Sequence, residues 1–360
     1  DLAVGEYNVT VEYDNDPNYN SSNASTLFHV DKANVPDDNM TVVPTNITYL
    51  DDETIVVTVN VTNATGKVTI TINGTDVDLT ESVDSDGKVT FTVPGLVAGE
   101  YNVTAKYHDD PNYNDSEASD LFHVDKDNIT NLDVNTVNIT YGDNETITVT
   151  IGDNNATGNI TIKVNGTEYG PQELVDGSIT FNVPGLVAGD YEVNVTYSGD
   201  DNYNATTANG NFNVDKATPN VYAVGTNITY GSDEQITAIV DGKNITGNVT
   251  IYIDGQAIDT VDLTPTATGG RAVLNVPGLS AGDHNVTVVY NGDANHNPSN
   301  GTDNFTVSQA KPTMVINTTD IDYQEIENIT VNVTGVEGGV TPTGTVNVTV
   351  TGDNGVTKVI

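Results

Sequence analysis

The chain has no cysteine, no tryptophan and only two methionines in 360 residues. Without thiols it can form neither a disulfide nor a thiolate metal site, and the redox state of its compartment leaves no mark on the sequence. Basic residues are nearly as scarce, with 11 Lys and Arg against 51 Asp and Glu and a net charge of −40. Phosphate backbones are bound through Lys and Arg, so nucleic acid is excluded as a partner. An anionic membrane surface is disfavoured for the same reason. No run of 18 apolar residues occurs, so no stretch reads as a spanning helix and no membrane contact is expected within this segment. A helical hydrophobic period is missing as well. So are the Gly-x-Ser-x-Gly elbow and the Walker-type phosphate loop. The five histidines are His29, His108, His123, His284 and His296, and among 51 acids the proximity of two carboxylates proves nothing. The sequence reads as a non-enzyme without a cofactor.

What the chain does have is repetition. Val93-Pro94-Gly95-Leu96-Val97-Ala98-Gly99-Glu100-Tyr101-Asn102-Val103 recurs from Val183 to Val193 and, more altered, from Val276 to Val286. The period of about 90 residues is the length of one small all-β domain, and a fixed period outranks other sequence signals. Each piece of the motif has a mechanical meaning. Proline cannot donate to a ladder and ends the strand, glycine permits the turn, and Leu96 drops back into the core. Tyr101, two residues before an inward Val103, has the layout of a tyrosine corner in an immunoglobulin-like sandwich.

Strands follow from alternation. Ile55, Val57 and Val59 alternate with Val56 and Thr58, and Val68, Ile70 and Ile72 alternate with Thr69 and Thr71. Val89, Phe91 and Val93 form a third stripe, and Tyr101, Val103, Ala105 and Tyr107 a fourth. Period-2 patterning between Gly, Asn, Asp and Pro marks half-buried antiparallel strands. The predicted fold class is all-β, as tandem immunoglobulin-like Greek-key β-sandwiches. Full repeats are expected at 34–126, 127–216 and 217–311. Residues 1–33 read as the C-terminal half of a repeat, and 312–360 as the N-terminal half with early strands at 329–334 and 345–350. Because residues 1–9 align with the middle of the motif, the sequence reads as a window from a longer array.

A second motif travels with the first. Tyr197-Ser198-Gly199-Asp200-Asp201-Asn202-Tyr203-Asn204, followed by Phe212-Asn213-Val214-Asp215-Lys216-Ala217, has counterparts starting at Tyr107 and Tyr290. This pair of motifs resembles the Ig-like repeat domains of adhesin-like surface proteins of methanogenic archaea and some bacteria. The resemblance covers the whole chain. It implies an extracellular, non-enzymatic, cell-surface protein. Two departures stand out, since His284 replaces the corner tyrosine and His296 the loop tyrosine of the third repeat. The segment from Pro312 carries neither motif.

Two kinds of candidate site emerge. Asn-x-Ser/Thr triplets recur at Asn46, Asn60, Asn63, Asn102, Asn138, Asn194, Asn204, Asn227 and Asn285. Asparagine is depleted in strands, so its repeated outward placement asks for a reason. Covalent N-glycans are expected, with the loop residues Asn63 and Asn204 as favoured acceptors. The acidic loops supply the second kind, as Asp109, Asp110, Asp200, Asp201 and Asp293 offer oxygen ligands for calcium. No EF-hand spacing supports this, and Asx-rich loops are often only turns. A Lys-to-Asn isopeptide bond is disfavoured because Lys32, Lys126, Lys216 and Lys311 fall at domain ends rather than in cores.

The functional expectation is a structural stalk or fibre segment of a large glycosylated adhesin-like protein, presenting a distal binding region. Its partners would be neighbouring repeats or copies and a cell-surface or host ligand. The alternative is a subunit of an extracellular filament or sheath, assembling head-to-tail by completing split domains between molecules.

Overall fold

A computed structural model of the chain describes residues 2–152, 155–353 and 355–359. Among the described residues every regular element is a strand, apart from one 3-10 turn at Asp37–Asn39. No helix among them is long and apolar enough to cross a membrane. Contacts group the chain into two compact units. One comprises residues 1–136, 147–181 and 192–210, the other 137–146, 182–191 and 211–360.

The first unit contains a complete sandwich. Met40–Val43, Glu53–Val59 and Lys88–Val93 form a three-stranded sheet in that order. The five-stranded sheet runs Ile47–Thr48, Ser116–Asp125, Gly99–His108, Lys67–Ile72, Asp78–Ser82. The chain changes sheets at Pro44, which cannot extend the ladder of the first strand. It then pairs in parallel with the last strand, Ile47 opposite Val124. Alternation sends Ile55, Val57, Val68, Ile70, Val103, Ala105 and Tyr107 into a core with essentially no solvent exposure. Burying each large aliphatic side chain there contributes roughly 1.5–3 kcal/mol.

In the second unit the third repeat repeats this plan. Its five-stranded sheet is Ile228–Thr229, Ser299–Ser308, Gly282–Tyr290, Asn248–Ile253, Gln256–Asp262. A short extra strand, Thr264–Pro265, borders the facing sheet beside Gly269–Val276. The strands of the middle repeat follow the order of the first, with Leu132–Asn135, Glu145–Ile151 and Ser178–Val183 in the smaller sheet.

The half repeats are simpler. Gly5–Tyr13 pairs with Ser22–Val30 as a hairpin. Thr313–Asn317 pairs with Thr330–Thr334. The strand expected at 345–350 forms only over Thr349–Thr351, paired with Thr357–Val359. In complete repeats its counterpart is held between two neighbours, as Lys67–Ile72 is. Here it is paired on one side, and fewer backbone groups are satisfied.

The corner expected from the repeat motif is formed. Tyr101 donates to Val97 O at 2.9 Å and Tyr191 to Val187 O at 3.0 Å. Each ring stacks on a phenylalanine of the next strand, Tyr101 on Phe122 at 5.3 Å and Tyr191 on Phe212 at 5.1 Å. His284 keeps the same geometry with different chemistry. Its Nε2 lies 2.8 Å from Ser280 O, its Nδ1 2.7 Å from Asp254 Oδ2, and it stacks on Phe305 at 5.4 Å. Both ring nitrogens face acceptors, which suits the imidazolium. The Ser280 carbonyl, then Asp254, hold the His284 pKa above its ordinary value even though burial opposes this. A raised histidine pKa adds stability that is complete below about pH 6.5, the unfolded value, and is lost as pH rises through the folded one. Thermal melting of the third repeat therefore falls as pH climbs from about 6.5. His284→Tyr restores the corner hydroxyl and flattens that limb; an unchanged slope in the variant would contradict the assignment.

Candidate functional site

The second motif organises the junctions between repeats. Its centre is one carboxylate per repeat. Asp110 accepts hydrogen bonds from Thr65 N at 2.8 Å, Thr65 Oγ1 at 3.2 Å and the Tyr107 hydroxyl at 2.5 Å. Its other oxygen accepts from Asn112 N at 2.7 Å and Tyr113 N at 3.0 Å. Asp200 takes Thr157 N, Thr157 Oγ1, Asn202 N and Tyr203 N at 2.7 to 3.0 Å. Asp293 takes Thr246 N and Oγ1, Asn295 N and His296 N, all at 2.8 to 3.0 Å. One oxygen thus shapes the loop, and the other ties it to the segment before the central strand. That segment has no room to spare: Gly158 sits at φ +89°, and a Cβ there would lie 2.5 Å from Gly199 O.

The electrostatics follow from this geometry. Burial pulls Asp110 and Asp200 upward, but the donors outweigh it and the net pKa is lowered in both. Asp293 is lowered further against the same burial, by the Asn295 and Thr246 N–H groups first and the His296 ring after them. Tyr107 is pushed up to about 12, by burial first and by Asp110 second.

The loop so shaped grips the preceding linker. In the first junction Ala33 N donates to Asn112 O at 2.9 Å, and Asn114 N to Ala33 O at 2.8 Å. In the second Asp127 N donates to Asn202 O and Asn204 N to Asp127 O; in the third Ala217 does the same with Asn295 and Asn297. The recurrent lysine adds a cation. Lys32 Nζ donates to Asp110 O at 2.6 Å, Lys126 to Asp200 O, and Lys216 to Asp293 O at 2.6 Å. The asparagine side chain then reaches the VPGLxAG turn of the preceding repeat. Ala98 N donates to Asn202 Oδ1 at 3.0 Å, Ala188 N to Asn295 Oδ1 at 2.9 Å, and Val4 N to Asn112 Oδ1 at 3.2 Å. Aromatic edges complete the contact, Tyr49 against Tyr203 at 5.4 Å and Tyr141 against His296 at 5.2 Å. The two motifs that recur in the sequence are thus the two halves of one clasp. His296 keeps the ring contact and adds its own Nδ1 to Asp293 at 2.9 Å.

Of the five acids expected to bind calcium, four have protein partners. Asp110, Asp200 and Asp293 are taken up by protein donors. Asp109 faces Lys67 at 3.6 Å and His108 at 3.3 Å, and Asp201 points to solvent. Among the described residues no group of three or more His, Cys, Asp or Glu is gathered to hold a metal.

The sequons divide. Asn60, Asn63, Asn194 and Asn285 are exposed and Asn102 is half-buried. Asn46, Asn138 and Asn227 accept the backbone N–H of His123, Asn213 and Thr306 at 3.0, 2.9 and 2.8 Å. There the asparagine caps the last strand beside its two-residue parallel partner, which gives a structural reason for its presence. Asn204, a favoured acceptor in the sequence, donates its amide to Lys126 O at 3.2 Å and Asn128 Oδ1 at 3.0 Å. A glycan on that nitrogen competes with the clasp.

Sequence reasoning missed one recurrent group. Glu53, Glu145 and Glu234 begin equivalent strands and are fully buried. Glu53 accepts from Thr45 N at 2.7 Å and Thr45 Oγ1 at 3.1 Å, and Glu234 is held likewise by Thr226. The signal was a glutamate eight residues after a Thr-Asn-Ile-Thr start, but alternation treats it as a strand-end polar residue. In the middle repeat Val137 replaces the threonine, so Glu145 keeps the backbone bond at 3.0 Å while its Oε2 has no partner. Leaving a buried acceptor unpaired costs about 1–3 kcal/mol. Val137→Thr in the unglycosylated chain should recover about 1 kcal/mol, read as slower amide exchange at Ile147 and Val149. Unchanged exchange there would show that Glu145 is satisfied by other means.

Comparison with known proteins places these repeats. Residues 40–124, 132–215 and 220–308 each match the family described as bacterial Ig-like domain (group 3). No curated protein matches the chain in sequence. Among solved structures it is similar to a Ca2+-stabilized adhesin with which an Antarctic bacterium binds ice. That match has 16% identity and TM-score 0.32, over 85% of this chain and 82% of that one. It is also similar to invasin, a bacterial integrin-binding protein, at 16% identity and TM-score 0.41, over 77% of this chain and 62% of that one. The ICAM-5 D1-D4 ectodomain fragment gives 11% identity and TM-score 0.35, over 89% and 96%. At these identities the likeness concerns the fold alone.

Proposed function

The chain belongs to the bacterial Ig-like domain (group 3) family, and on that premise we propose that it is a structural stalk segment of a large adhesin-like cell-surface glycoprotein. The observation that carries the reading is the clasp, in which a loop asparagine accepts from the preceding turn and a linker lysine donates to the loop at each of three successive junctions. Here the recurrent polar residues are spent on joining one repeat to the next, which is what a spacer needs. The resemblance to adhesin-like proteins of methanogenic archaea supports an extracellular setting. The net charge of −40 keeps a long β-rich chain from pairing through its edges. Exposed sequons such as Asn60, Asn63 and Asn194 are the proposed glycan carriers. The cell-surface or host ligand is met by a distal region, because these repeats have no tryptophan with which to build a sugar-stacking platform. The reading needs no cofactor and no catalysis.

Labelling of intact producing cells with a membrane-impermeant amine reagent, followed by chemical deglycosylation, tests this. The expected result is a labelled chain whose mass falls on deglycosylation. Labelling only after lysis would overturn the surface assignment, and an unchanged mass would remove the glycans.

A further inference from the structure

One sequon recurs in the loop before the central strand, as Asn63-Ala64-Thr65, Asn155-Ala156-Thr157 and Asn244-Ile245-Thr246. Its residues have structural duties of their own. The threonine hydroxyls donate to Asp110, Asp200 and Asp293. Asn63 and Asn244 sit in the left-handed region, at φ +55° and +56°, which asparagine tolerates better than most side chains. Recurrence alone therefore says nothing about a glycan. What sets Asn244 apart is the position of its side-chain nitrogen.

Asn244 is exposed, and its Nδ2 donates to the hydroxyl of Tyr141, in the preceding repeat, at 3.2 Å. The nitrogen that would accept a sugar thus points across the junction, beside the ring that meets His296 at 5.2 Å. It stands at an open groove of about 330 Å³. Lys243 and Asn244 line this groove from the third repeat, Tyr141 and Asp143 from the second, and Leu186 and Val187 from the VPGLxAG turn. Val187 is an apolar side chain left 55% exposed there. A sugar ring presents C–H groups on its faces and hydroxyls around its rim. Tyr141, Leu186 and Val187 suit the faces, and Asp143 and Lys243 suit the hydroxyls.

We propose that Asn244 carries an N-linked glycan whose first sugars lie in this groove and brace the junction between the second and third repeats. In the transfer, Asn244 Nδ2 bonds to the anomeric carbon of a sugar on a polyprenyl-phosphate donor. The bond from that carbon to the phosphate oxygen breaks, and one amide proton passes to the released phosphate. The nitrogen keeps its second hydrogen for Tyr141. A tethered sugar needs far less contact than a free one, because the covalent bond sets its local concentration. A groove without tryptophan therefore suffices to hold it. The proposal rests on the glycoprotein reading and gives one of its sugars a place and a mechanical task.

Glycopeptide mapping of the chain from producing cells, followed by amide hydrogen exchange on the intact protein, tests this. Sugar mass is expected on Asn244. In Asn244→Gln from the same cells, the Ala188 amide, held by Asn295 across the junction, should exchange faster by about two- to tenfold. The core amides of Val286 and Val288 should stay slow, which shows that the variant is folded. In unglycosylated chain from a host without the transferase, the same substitution should leave Ala188 where it was. That comparison separates the sugar from the Tyr141 hydrogen bond. Sugar on other sequons with Asn244 bare overturns the proposal and leaves the glycoprotein reading standing. Sugar on Asn144, the other sequon lining this groove, with Asn244 bare does the same. A chain without sugar anywhere overturns both. An occupied Asn244 whose loss leaves Ala188 unchanged, or moves it equally in both hosts, overturns the bracing role.

Discussion

A single carboxylate in each repeat, Asp110, Asp200 or Asp293, ties together the loop, the segment before the central strand and, through the loop, the junction. One of its oxygens collects two backbone N–H groups and bends the loop into an Asx turn. The other takes a threonine N–H and hydroxyl from the segment that leads into the central strand. Charge-assisted bonds of this kind are worth roughly 1.5–3 kcal/mol each, about twice a neutral one. The loop fixed in this way offers its asparagine side chain and peptide groups to the previous repeat. Internal folding and external joining thus rest on the same group. Because the carboxylate pKa is depressed, its contribution is complete above about pH 3.9, the unfolded value, and fades as pH falls through the folded one.

This dual role explains why the motif tolerates some changes and not others. The third repeat exchanges two tyrosines for His284 and His296, yet both corner and clasp survive, because an imidazole can donate where the phenol did and stack where the ring did. The lysine that closes each linker works from outside, through a carbonyl rather than a carboxylate. Placement at a domain end, which argued against a covalent cross-link, is what suits it to the junction.

Much of the fold was legible in the sequence because period-2 alternation and a fixed repeat length are redundant signals. Ile55, Val57, Val68, Ile70 and Val103 are core residues for the reason their spacing suggests. The tyrosine corner was legible from three residues. The site was less so, because its meaning lies between repeats. The Asp-x-Asn-Tyr-Asn loop reads first as a turn and second as a cation ligand set, and only the positions of Ala33, Asp127 and Ala217 across the junction show where its peptide groups go. Asn204 reads as a free sequon until its amide is seen against Lys126 O. Glu53, Glu145 and Glu234 were passed over because burial of a carboxylate at a strand start runs against residue-type expectation.

The central claim is that the loop carboxylate holds the junction through the loop it shapes. Asp200→Ala in the whole chain, followed by amide hydrogen exchange, tests it most directly. Asp200 is not bonded to Ala98, whose N–H is held by Asn202 across the junction. The account predicts that Ala98 and Asp127 lose protection by at least about tenfold, or 1.4 kcal/mol, while the core amides of Val193 and Val195 stay slow. Unchanged protection at Ala98, with the same core intact, would contradict it.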